Sequence, residues 1–124
     1  MELPVFFKSV IDSDPAPIVI CDIKHIIVYM NPASIKRYSK RGGAALIGKS
    51  LLDCHNSDSN EKIIRVVDWF MADTENNRIF TFHNPKDNAD VYMMALRNEN
   101  KELIGYYEKH ELRTLENSPV YNYS

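Results

Sequence analysis

Six side chains in this sequence have the chemistry to ligate a metal, hold a haem iron or attack a substrate: Cys21, Cys54, His25, His55, His83 and His110. Cys54 and His55 are adjacent, and Asp58 follows three residues after His55. A closed metal centre draws on ligands set apart at defined intervals, which an adjacent Cys-His pair does not supply. For Cys54 to act as a nucleophile, a histidine must take its proton and be oriented in turn by a third group. Side chains of neighbouring residues commonly diverge, so His55 is poorly placed for that task, and the pattern reads as non-enzymatic. His25 falls at a turn tip between two apolar runs, and His110 lies between Lys109 and Glu111 at a charged strand end. Both are expected to face solvent. A second cluster is basic: Lys36, Arg37, Lys40 and Arg41 end a helical segment just before Gly42-Gly43. Cations there are favoured by the helix dipole, which explains them without an anionic partner.

The elements that must position these groups follow from periodicity. Ile18–Cys21 and Ile26–Met30 are β-branched-rich runs of strand length, separated by polar Asp22, Lys24 and His25. Histidine is among the few residues that tolerate positive φ, so a hairpin turn survives at His25. Asn31 is an N-cap type and Pro32 suits the first helical position, which starts a helix running towards Lys40. Upstream, residues 4–12 space Phe6, Phe7, Val10 and Ile11 as a short amphipathic helix, broken at Ser13-Asp14-Pro15. It is either a cap over the sheet or a dimer surface. Asp58, with Glu61 three residues on, reads as the cap of the longest helix, whose apolar face is Ile63, Val66, Val67 and Phe70 with Trp69 beside it. The chain then alternates as sheet: Ile79–His83, with Phe80 and Phe82 on one side, then Val91–Arg97 and Leu103–Leu112.

Bulk properties narrow the function classes. A chain of 124 residues holds one core. Its net charge of −2 and pI near 6.1 provide no field to draw it to nucleic acid. No apolar run approaches the roughly 20 residues of a membrane span, and the N-terminus lacks the basic and apolar regions of a signal peptide. Two cysteines are too few for a disulfide scaffold, so a reduced, cytoplasmic setting is the simplest expectation.

Three pieces in order, Ile27-Val28-Tyr29-Met30-Asn31-Pro32-Ala33, Leu46-Ile47-Gly48-Lys49-Ser50-Leu51-Leu52 and Glu102-Leu103-Ile104-Gly105-Tyr106-Tyr107, together resemble PAS domains, the small sensor modules. The stretches 53–56 and 107–111 are similar to those of small, standalone bacterial PAS proteins. The resemblance implies an α+β fold, with a five-stranded antiparallel sheet carrying short helices and one longer helix on one face. It divides the chain into an N-terminal cap helix at 1–13, a PAS-like domain at 14–113 and a flexible tail at 114–124.

It also implies a sensory or signal-transduction domain that binds a small ligand or partner protein. Too few residues follow Leu112 for an effector, so signalling is expected through an unknown partner or through a homodimer. The alternative is a ligand-free protein–protein interaction module. Pocket candidates are Ile63, Val67, Trp69 and Phe70 from the long helix, and Phe80, Phe82, Met93, Met94 and Tyr107 from the strands. Tyr29, Cys54, His55 and His83 complete the set. The strand face that lines the pocket stays open, because a one-residue register slip exchanges faces. A flavin-linked cysteine is not expected, since Leu51 stands where that cysteine would be. A cinnamoyl chromophore on Cys54 would lack its tyrosine and glutamate partners, whose positions are held by Met30 and Ser34. Residues 58–73 contain no histidine, so a haem would have to use His55 or His83. A small organic ligand, or none, is what remains.

Overall fold

The polar break at Asp22-Lys24-His25 does make a hairpin. In a computed structural model, which describes residues 2–122, strands β1 (Ile18–Asp22) and β2 (Ile27–Met30) pair antiparallel. The Asp22 carboxylate accepts the backbone N–H groups of Lys24 and Ile26 at 2.8 and 3.0 Å, and His25 sits at φ 68°. Contrary to the expectation of an exposed turn tip, His25 is half-buried, with Nδ1 2.8 Å from Tyr106 Oη.

Asn31 secures the next junction. Its Oδ1 accepts Ser34 N–H at 3.0 Å, capping α2 (Pro32–Arg37), and Ile18 N–H at 2.9 Å. Its Nδ2 donates to the carbonyls of Ile11 and Ala16 at 3.1 and 2.9 Å. One fully buried side chain thus joins the N-terminal segment, β1 and α2. The N-terminal helix α1 (Leu3–Ser13) buries none of its residues and is tied at its C-terminal end, where Asp12 accepts from Tyr29 Oη and pairs with Lys8.

The long helix α3 (Ser57–Ala72) begins one residue before Asp58. Its cap is Asn56, whose side chain accepts Ser59 N–H at 2.8 Å. Asp58 falls in the first turn, where its charge complements the dipole instead of capping. Three short 3-10 turns, Ser39–Arg41, Gly43–Leu46 and Leu51–Cys54, fill the path from α2 to α3.

Strands β3 (Arg78–Asn84), β4 (Ala89–Arg97) and β5 (Leu103–Leu112) complete a sheet of order β2-β1-β5-β4-β3, every neighbour antiparallel. This is the PAS-like α+β architecture expected. Gly105 is required where β5 meets β1, because a Cβ there would lie 2.3 Å from the Cys21 carbonyl oxygen. A bulge between Phe80 and Phe82 corrects the face assignment in β3. The extra residue rotates the strand, so Phe80 packs against Tyr92 on the outer face while Phe82 turns to the inner one.

The inner face packs under α3. Val19, Cys21, Ile27, Met30, Phe70 and Tyr106 form the centre of the core, each 2% exposed or less. Residues 114–122 contain no helix or strand, and the last two positions of the expected tail, like Met1, lie outside the described residues. Among the described residues no helix is long and apolar enough to cross a membrane.

Candidate ligand cleft

Strand alternation places Tyr106, Glu108, His110 and Leu112 successively on the inner face of β5. Tyr106 completes the dry core. The next two inward positions are ionisable and buried, Glu108 at 8% and His110 at 3% exposure. The His110 expectation is therefore corrected: its charged neighbours Lys109 and Glu111 point to the opposite face, and the pleat turns the histidine in. His110 Nε2 lies 3.0 Å from Glu108 Oε1 and 3.5 Å from Tyr38 Oη. Burial alone would raise the Glu108 carboxyl pKa. The hydrogen bond and charge of His110 outweigh it, so the carboxylate sits below its ordinary value. With Nε2 donating to that carboxylate, the other ring nitrogen, Nδ1, is buried without a hydrogen-bond partner among the described residues.

Here the inner face is not closed. A cleft of about 1040 Å³ opens between the β3–β4 hairpin, the first half of α3 and the segment from α2 to Arg41. That volume matches the upper end of the roughly 300–1,000 Å³ usual for small-molecule sites. Ile63, Ala89, Met93, Glu108 and His110 form its buried floor. Its rim carries Lys36, Arg37, Lys40, Arg41, Lys62 and Lys86. Arg37 pairs with Asp87, Arg41 donates to the Cys54 carbonyl at 3.0 Å, and Lys62 reaches the Thr81 carbonyl at 3.3 Å. His55 lines the wall with Nδ1 2.9 Å from the Leu51 carbonyl. Because a carbonyl only accepts, that nitrogen carries the proton, which leaves Nε2 a free lone pair when the ring is neutral.

Of the residues singled out from sequence, His55, Ile63, Phe82 and Met93 meet in this cleft. Val67 and Phe70 lie in the dry core, and Cys54 packs at its edge with Sγ 3.8 Å from the Ser50 carbonyl. Trp69 is exposed over a second, shallower groove of about 400 Å³ beside Val66 and Ile79. Tyr29, Phe80, Met94 and Tyr107 lie on the outer face, where Tyr107 Oη is 3.0 Å from Met94 Sδ. His83 is also outside, its Nδ1 2.6 Å from Asp90, a carboxylate shared with Arg113. Sequence reasoning does not single out Glu108 or Tyr38, and it sets His110 in solvent. The signal that could have found Glu108 and His110 is the two-residue period counted from Tyr106, whereas Tyr38, at the end of α2, carries no such signal.

The second cysteine chemistry is closed off. Burial pushes the Cys21 thiol up to about 12, so it stays protonated. Among the described residues no cluster of three or more His, Cys, Asp or Glu could hold a metal ion.

Sheet order, the cleft beneath α3 and the capped hairpin define a PAS-like fold. The family model described as PAS fold matches residues 11–108, and the chain belongs to the PAS family. Solved structures agree on the fold. A PAS domain from Colwellia psychrerythraea is 15% identical, covers 91% of this chain and 98% of its own, and superposes with a TM-score of 0.68. The PAS domain of BvgS from Bordetella pertussis is 18% identical over 90% of this chain and 87% of its own, with a TM-score of 0.65. The Aer2 receptor from Vibrio cholerae, a dual PAS-heme oxygen sensor, is 19% identical over 80% of this chain and 95% of its own, with a TM-score of 0.57. No curated protein matches the chain in sequence.

Proposed function

We propose that this chain is a cytoplasmic, non-enzymatic PAS sensor that takes a small organic ligand into the cleft under α3 and signals through α1. The observation that carries the reading is the open cleft whose floor holds buried His110 with an unpartnered Nδ1. A buried polar atom left without a partner is costly, and a ligand reaching the floor removes that cost. β5 links the cleft to the N-terminal segment. His110 faces the cleft, its backbone N–H donates to the Pro17 carbonyl at 3.0 Å, and Lys109 on the other face pairs with Asp14 at 3.1 Å. A ligand that binds one position of β5 better than another shifts Asp14 and hence α1. α1 presents Leu3, Val5, Phe6, Phe7 and Val10, each more than half exposed, as the surface for a homodimer or a signalling partner.

That same exposed stripe favours a second reading, a ligand-free interaction module. An absorbance spectrum and a native mass spectrum of protein purified without added cofactor separate the two. A discrete extra mass released on denaturation supports the ligand sensor. Bare polypeptide mass, with no later binding by small molecules, supports the interaction module. A Soret band lost in His55→Ala would instead make His55 a haem ligand through Nε2.

A further inference from the structure

The rim of the cleft carries a charge that the chain as a whole does not. Its lining holds six cations, Lys36, Arg37, Lys40, Arg41, Lys62 and Lys86, against two carboxylates, Asp87 and Glu108, in a protein of net charge −2. The dipole of α2 gives a reason for Lys36 and Arg37 in its last turn and for Lys40 and Arg41 just beyond it. It gives none for Lys62, in the first half of α3, or for Lys86, in the β3–β4 hairpin. Three separate segments therefore converge their cations on one opening. Arg37, Arg41 and Lys62 are engaged by Asp87 and by the carbonyls of Cys54 and Thr81. Lys36, Lys40 and Lys86 are exposed and have no ion-pair partner among the described residues. Cations around a cleft with apolar walls concentrate their field at its mouth.

The floor sets the opposite condition. Glu108 is a buried carboxylate already, and a second anion placed beside it would be repelled in a poorly solvated site. The remaining floor, Ile63, Ala89 and Met93, is apolar. We infer that the cleft takes a small amphipathic organic anion, its charged group held at the mouth by Lys36, Lys40 and Lys86 and its uncharged body on the floor beside His110. This rests on the cleft being a ligand site, as proposed above.

The test uses two fluorescent probes of one skeleton, 1-anilinonaphthalene-8-sulfonate and its uncharged analogue N-phenyl-1-naphthylamine, on the whole chain. The sulfonate is expected to bind at one site, and Lys36→Glu with Lys40→Glu to weaken it about tenfold or more. Raising NaCl to about 0.5 M weakens it in the same direction. The uncharged analogue keeps its affinity within about twofold under both changes, because no charge of its own is involved. Both substituted lysines are exposed, so the double variant keeps the fold, which an unchanged melting temperature verifies. If both probes bind equally and neither change affects them, the anion inference fails while the ligand site stands. If neither probe binds the cleft, the inference and the ligand-site reading fail together.

Discussion

The two ends of one sheet face are built on opposite terms. Where β1, β2 and the start of β5 meet the second half of α3, the inner face is dry: Val19, Met30, Phe70 and Tyr106 fill it. Four residues along β5 from Tyr106 the same face holds His110, and the space above it is a cleft instead of a side chain. The dry end supplies the stability that lets the other end stay open. A small domain has little surplus stability, so an unfilled end with a buried Glu108–His110 hydrogen bond persists only on such a base.

Substitutions should separate the ends, and the largest effect belongs to the dry one. Phe70→Ala deletes a fully buried ring and should cost about 3–5 kcal/mol, read as a lower denaturant midpoint, with no selective loss at the cleft. At the open end, His110→Leu strands Glu108 as a buried, unpaired carboxylate and should cost about 3 kcal/mol. Replacing both, Glu108→Leu with His110→Leu, should recover most of that loss, since an apolar pair of similar volume needs no charge compensation. A double variant that recovers nothing over His110→Leu would mean that Glu108 and His110 do not depend on each other and that the comparison is misdrawn.

Acid provides a milder probe. The Glu108 carboxyl titrates below its ordinary value of 4.5 in the folded chain, so its contribution is complete above that pH and is lost as pH falls through the folded value. His110 bonds it directly, Tyr38 Oη lies 3.5 Å from His110 Nε2, and the Arg37 guanidinium and a protonated His55 add favourable charge. Thermal melts between about pH 5 and pH 3 should therefore fall more steeply for the wild type than for the double leucine variant. The smallest effect is Trp69→Ala. With Trp69 already 40% exposed, the change should cost less than about 1 kcal/mol and leave cleft binding intact.

Much of the dry end was legible in the sequence, because its signals are local. The hairpin at His25, the Asn31 cap and the apolar stripe of α3 each depend on residues within a few positions of one another. The open end was less so. The bulge between Phe80 and Phe82 reverses a face with no composition signal, and the charged pair Lys109 and Glu111 disguised the inward turn of His110. The cap of α3 at Asn56 instead of Asp58 is a two-residue ambiguity among several capping residue types. The cations at the rim were visible as residues, but their convergence from α2, α3 and the β3–β4 hairpin is a property of the fold alone.

The methionines offer the most direct test, since they report from different places. Met93 lies on the cleft floor, Met30 in the dry core, Met94 on the outer face and Met71 exposed on α3. Methyl spectra of the chain labelled with ¹³C at methionine ε, recorded while 1-anilinonaphthalene-8-sulfonate is added, read these positions at once. The account predicts a saturable shift at Met93 with Met30 and Met71 unmoved. Shifts confined to Met71 or Met94, or no shift at Met93 at saturation, would contradict the claim that the open end of the sheet is where a ligand binds.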